Sequence, residues 1–135
     1  MAEDHAEPAI NLPEVVAEVT TAFMRYEAAL NANDVAVLNE LFRDAPYTLR
    51  YGLAEELHSH AQIAAFRGAR IPPGRRIISN TVVTTFGRDF ATASTEFRRP
   101  GQTRNGRQQQ SWVRFPEGWR IGAAHVSFSA AEDVK

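Results

Sequence analysis

The stretch from Arg76 to Phe128 constrains this chain more than any other part of it. Arg76 to Phe86 is dense in Ile, Val and Thr, Phe90 to Arg98 alternates, Gln108 to Phe115 alternates again, and Trp119 to Phe128 closes the series. Between them stand Gly87-Arg88-Asp89, Pro100-Gly101 with Asn105-Gly106, and Pro116-Glu117-Gly118, all turn formers. Period-two segments joined by short turns pair with their neighbours, which predicts an antiparallel meander of four strands.

The first half has a different rhythm. Val15, Val19, Ala22, Phe23, Tyr26, Ala29 and Leu30 recur at helical spacing, with Asn11 as the cap, Pro13 in the first turn, and Glu18, Arg25 and Glu27 on or near the other side. Asn33-Asp34 caps a second, shorter helix whose face is Val35, Leu38, Leu41 and Phe42, and Pro46 ends it. Residues 47–51 read as a strand, and the stretch to His60 as a loop with room for a short edge strand. Ala61 to Ala69 reads as a third helix, capped by Ser59, with Ile63 and Phe66 inward, and Pro72-Pro73-Gly74 stops it. Three helices followed by a curved antiparallel sheet make an α+β domain. A sheet wrapped around the first helix forms a cone with a pocket at its open end. One domain over 11–129 is expected, with polar tails at 1–10 and 130–135.

Composition narrows the chemistry. The chain has no cysteine, which removes disulfides, thiolate nucleophiles and Cys-ligated metals. The net charge of -1 gives no bulk field for nucleic acid or membrane, and no apolar run approaches the roughly 20 residues that span a bilayer. Met1 to His5 is acidic and polar, unlike a secretory signal, so a cytoplasmic location is the default expectation. The only lysine is Lys135, and every other basic residue is arginine, whose planar fork grips carboxylates at two points. Arg98, Arg99, Arg104 and Arg107 read as a solvated hairpin tip, since no aromatic platform for nucleic acid accompanies them. His58 and His60 lack a third ligand at metal-binding spacing, so no metal site is expected.

Two polar residues occupy apolar positions. Tyr26 lies on the apolar stripe of the first helix, and Arg50 lies inside Tyr47-Thr48-Leu49-Arg50-Tyr51. On the residues alone, Tyr26 also reads as a core tyrosine, and Arg50 as an edge residue or the partner of Glu55 or Glu56. If Trp112 and Trp119 mark the inner faces of the last strands, strict alternation turns Gln108, Gln110, His125 and Ser127 inward with them. A single bulge would reverse that assignment.

The element order and the ending Gly118-Trp119-Arg120-Ile121…His125-Val126-Ser127 resemble the nuclear-transport-factor-2-like superfamily, which includes the SnoaL-like enzymes. More specific segments are Arg25-Tyr26-Glu27, Asn33-Asp34-Val35, Arg50-Tyr51-Gly52, Ala65-Phe66-Arg67, Thr84-Thr85-Phe86-Gly87, Gly106-Arg107-Gln108 and Ala123-Ala124-His125. As a set, from about Asn11 to Ser127, they resemble the AtzH-like family, which covers the oxalurate-catabolism protein HpxZ. Arg43 to Pro46, His58 to His60 and Gln109 depart from the family pattern.

The resemblance implies the cone-shaped fold and a cofactor-independent, decarboxylating hydrolysis of 1,3-dicarboxyurea to allophanate, in cyanuric acid breakdown. It implies Tyr26 and Arg50 as catalytic residues. Arg50 would grip a substrate carboxylate and Tyr26 would protonate the urea nitrogen, with Phe23 and Trp112 keeping the site dry. His125, Ser127, Gln110, Trp112 and Gln108 are the expected substrate-binding residues. Rival readings are an enzyme for another ureido acid and a carboxylate-binding accessory module that delivers a labile intermediate to an amidase. A homodimer is expected through the outer sheet face, with Val83, Thr85, Phe97, Val113 and Phe128 as its surface.

Overall fold

The spacing of apolar residues in the first half becomes α1, Pro13–Ala32, which buries Val15, Val19, Phe23, Tyr26, Ala29 and Leu30 along one stripe. The computed structural model describes residues 5–130. Asn11 does not cap α1: Leu12 stands there, and Asn11 instead ties the incoming chain to a strand, its amide donating to the Thr85 carbonyl and its Oδ1 accepting from the Thr85 amide. Ile10 also bridges to Phe86, and the Gly87 amide donates to the Ala9 carbonyl. Asn33, in the left-handed conformation, closes α1, and the Asp34 carboxylate caps α2, Val35–Leu41, by accepting from Val37 N at 3.2 Å.

Two short strands follow, β1 (Leu49–Tyr51) and β2 (Glu56–His58), and then α3, His60–Ala69, capped by the Ser59 hydroxyl. The meander is β3 (Ile77–Phe86), β4 (Phe90–Arg98), β5 (Gly106–Phe115) and β6 (Gly118–Phe128). The six-stranded sheet has the order β2-β1-β6-β5-β4-β3, antiparallel except where β1 runs parallel to β6.

One face of this curved sheet carries the core. Ala91, Ala93, Trp112, Ile121 and Ala124 form one cluster with the buried residues of α1, with Leu38, Leu41 and Phe42 around α2, and with Ile63 of α3. No helix among the described residues lies over the other face. Among the described residues, no helix is long and apolar enough to cross a membrane.

The register of β6 corrects the strict alternation. Ser111 pairs with Ala123 but Trp112 pairs with Ile121, so β6 holds one extra residue at Gly122. Trp119 and Ile121 point inward, and beyond the bulge the inward residues are Ala124 and Val126. His125 and Ser127, expected to point inward, therefore belong to the outer face. The expected dimer surface is corrected too. Thr85 and Phe97 are core residues at 0% and 1% exposure, and Val83 packs against the same core.

Candidate functional site

α1, β1, α3, β4 and β5 converge on a cavity of about 200 Å³ lined by Tyr26, Arg50, Phe66, Arg70, Arg76, Phe97, Arg99 and Gln108, among others. Tyr26 and Arg50, named from sequence on separate elements, thus share one wall. Four arginines line this cavity against one carboxylate, Glu55.

A relay of hydrogen bonds sets the floor. Glu27 lies one position past Tyr26 on α1 and is 4% exposed, not on the solvent side as its charge suggested. Its carboxylate accepts two bonds from Arg76, from Nε at 3.0 Å and Nη2 at 2.7 Å. Arg76 Nη2 also donates to Gln108 Oε1 at 2.7 Å, and Gln108 Nε2 donates to the Tyr26 oxygen at 3.0 Å. Arg76 can only donate, so it fixes the amide with its nitrogen towards Tyr26.

Arg50 donates from Nη1 to Glu55 Oε1 at 3.0 Å, while its buried Nε has no partner among the described residues. This ion pair is one of the alternatives that the sequence offers for Arg50. Arg70 and Arg99 have no ion pair among the described residues. Arg70 lies 5.2 Å from the Phe66 ring centroid and Arg99 lies 5.1 Å from that of Phe97. Arg99, read from sequence as part of a solvated hairpin tip, instead reaches the cavity.

The cations alter the phenol. Burial alone would raise the Tyr26 pKa, but the positive charges of Arg67, Arg76 and Arg50, with the Gln108 hydrogen bond, outweigh it and hold it below the ordinary phenol value. Burial lowers Arg70 to about 10, and repulsion from Arg50 and Arg67 adds to the shift.

The other expected site residues divide. Gln108 lines the cavity. Gln110 and Trp112 face inward but bond each other, Trp112 Nε1 to Gln110 Oε1 at 2.9 Å, within the core beside the cavity rather than on its wall. His125 and Ser127 line a shallow groove on the opposite face with Glu96, Arg107 and Gln109, and His125 makes an edge contact with Tyr51. The Gly122 bulge is the cause.

Arg67, Arg70, Arg76 and Glu27 escaped the sequence reading because a charged residue reads as a surface residue. For Arg67 a signal existed: it follows Ile63 by four, on the inward face of α3. Among the described residues, no group of three His, Cys, Asp or Glu side chains is arranged to hold a metal.

The fold recurs in solved structures. A protein of unknown function from the DUF3225 family of Pectobacterium atrosepticum is 56% identical, covering 90% of this chain and 95% of its own at a TM-score of 0.88. A cystatin-like fold protein from Burkholderia xenovorans is 48% identical over 93% of this chain and 99% of its own, also at 0.88. A nuclear transport factor 2-like superfamily protein from Salmonella enterica is 26% identical over 90% of this chain and 95% of its own, at 0.72. No curated protein matches. The AtzH-like family model matches residues 8–132, and the chain belongs to the AtzH-like family, within the nuclear-transport-factor-2-like superfamily.

Proposed function

We propose that the protein is a cofactor-independent, decarboxylating amidohydrolase for a small N-carboxylated urea, converting 1,3-dicarboxyurea to allophanate. The observation that carries this reading is the excess of cations around one phenol: Arg50, Arg70, Arg76 and Arg99 line the cavity that Tyr26 enters. Family membership supports it, because the resemblance implies this reaction for Tyr26 and Arg50.

A dianion fits the charge of the cavity. Arg50 takes one carboxylate with its unpartnered Nε, while its Nη1 stays on Glu55. Arg70 and Arg99, which have no ion pair among the described residues, hold the second carboxylate. Orientation of this kind brings the reacting nitrogen to the phenol. Tyr26 protonates it as the nitrogen–carboxyl bond breaks, and the lowered pKa makes the phenol a stronger acid than usual.

The test follows allophanate and carbon dioxide from freshly generated 1,3-dicarboxyurea, against the unaided decay. Acceleration is expected in the wild type, with turnover reduced by about 10²-fold or more in Tyr26→Phe. Arg50→Lys is expected to weaken binding and turnover together, because a point charge does not reproduce the fork. Wild-type protein that leaves the decay unchanged rules out this substrate. Tight dicarboxylate binding without turnover of any ureido acid would then favour the accessory-module reading.

A further inference from the structure

Arg67 is a cation in the core with no carboxylate partner among the described residues. It is 4% exposed, and none of its three guanidinium nitrogens has a well-formed hydrogen bond among the described residues. Its guanidinium carbon lies 4.9 Å from the Phe42 ring centroid, and the Phe42 and Tyr26 rings are 6.3 Å apart. A buried cation needs compensating charge or a full set of acceptors. Arg50 and Arg70 repel it, while Tyr26 favours its charged form.

Tyr26 has the complementary need. Its oxygen accepts from Gln108 Nε2, and Arg76 prevents that amide from turning round. The groups acting on the oxygen are Gln108 of β5, Arg50 of β1, Arg67 of α3 and Arg76 just before β3. All of them present donors. Glu27, the carboxylate of the network, has both oxygens bonded to Arg76. A neutral phenol has a hydrogen to donate and finds no acceptor among the described residues, whereas a phenolate needs only donors.

We infer that Arg67 is the counter-ion of a Tyr26 phenolate and a positioning residue that acts on the reaction through Tyr26. The role in turnover rests on the reading of Tyr26 as the proton donor; the ion pair itself does not. An anionic substrate entering beside the phenolate strengthens its hold on a proton, so Tyr26 takes one from solvent as the dianion binds. That proton passes to the urea nitrogen, which also receives the electron pair of the breaking nitrogen–carbon bond. Carbon dioxide leaves, the phenolate re-forms against Arg67, and the dianion plus one proton has become a monoanion.

Ultraviolet titration of the full chain tests the pair, comparing wild type, Tyr26→Phe, Arg67→Lys, Arg67→Met and Arg67→Gln, with circular dichroism to identify the folded variants. The wild type is expected to show a tyrosinate band that develops well below the ordinary phenol pKa of about 10 and is missing in Tyr26→Phe. Arg67→Lys should largely keep it. Arg67→Met and Arg67→Gln should each move it up by about one pH unit or more, a tenfold change in the ionisation constant. Two results overturn the inference: no low-titrating Tyr26 component in the wild type, or one that the folded neutral variant leaves in place. If neither neutral variant folds, loss of the band in folded Arg67→Lys overturns it and retention supports it. No substrate is involved, so failure to turn over 1,3-dicarboxyurea would remove the proposed reaction and leave this result standing.

Discussion

Glu55 holds one arm of Arg50, Nη1, beside the nitrogen that would take a substrate carboxylate, and Gly52 makes room for it. A Cβ built on Gly52 would come within 1.8 Å of Glu55 Oε1. Glu55 therefore competes with an incoming anion for Arg50. Glu55→Gln is expected to keep the side chain's size, remove the competing charge and lower KM for the anionic substrate by a few-fold. A raised KM would show instead that Glu55 orients Arg50. Glu27 has the opposite consequence. Glu27→Ala leaves Arg76, 6% exposed, without its carboxylate. Breaking such a buried pair is expected to cost about 3–5 kcal/mol in denaturant unfolding. At this scale the sequence was legible where a polar residue broke an apolar pattern, as at Tyr26 and Arg50. It was illegible where a charge needed an unseen partner: Glu27 and Arg76 are 49 residues apart, and no local spacing links them.

At the scale of elements, α3 matters most, because it carries Phe66 and, at its C-cap, Arg70 to the cavity, and Arg67 into the core. Its entry is held by Ser59, whose hydroxyl accepts from Gln62 N at 3.2 Å while its own backbone sits at φ 97°. Capping and conformation pull in different directions there. Ser59→Ala loses the cap and keeps the unfavourable φ, so a loss of about 1 kcal/mol or more is expected. Ser59→Gly loses the cap but is free at positive φ, so its thermal unfolding should stay close to wild type. Equal destabilisation by both would mean that the side chain alone holds the entry. The cap, the helices and the meander were legible because each rests on local chemistry. The β6 bulge was not, since the extra residue at Gly122 appears only in the pairing with β5. That one residue moved His125 and Ser127 away from the expected site.

At the scale of the whole molecule, helices cover one face of the sheet and leave the other open. The open face is not wholly polar. Val82, Phe86 and Phe90 are 57%, 37% and 40% exposed, and Tyr51 adds an aromatic edge beside His125. Paired strands put Val82 opposite Ser94 and Phe90 opposite both Phe86 and Val113, so the apolar groups gather towards the β3–β4 turn. Glu96 stands opposite Arg107 on the same face, which gives the surface both signs of charge. A surface with both signs can meet its own copy across a two-fold axis without uniform repulsion. The expected species is a homodimer, sedimenting at about twice the 15.0 kDa chain mass. The surface to alter follows from the strand register, which keeps Val113 among the residues selected from sequence and removes Val83, Thr85 and Phe97. Val82→Glu with Phe90→Glu should release monomers that keep the native circular dichroism spectrum. The cavity lies on the helix-covered face, so its lining belongs to one chain, and each monomer should retain the ultraviolet titration of Tyr26. A wild-type chain sedimenting at the monomer mass at every concentration would leave this face without a second copy.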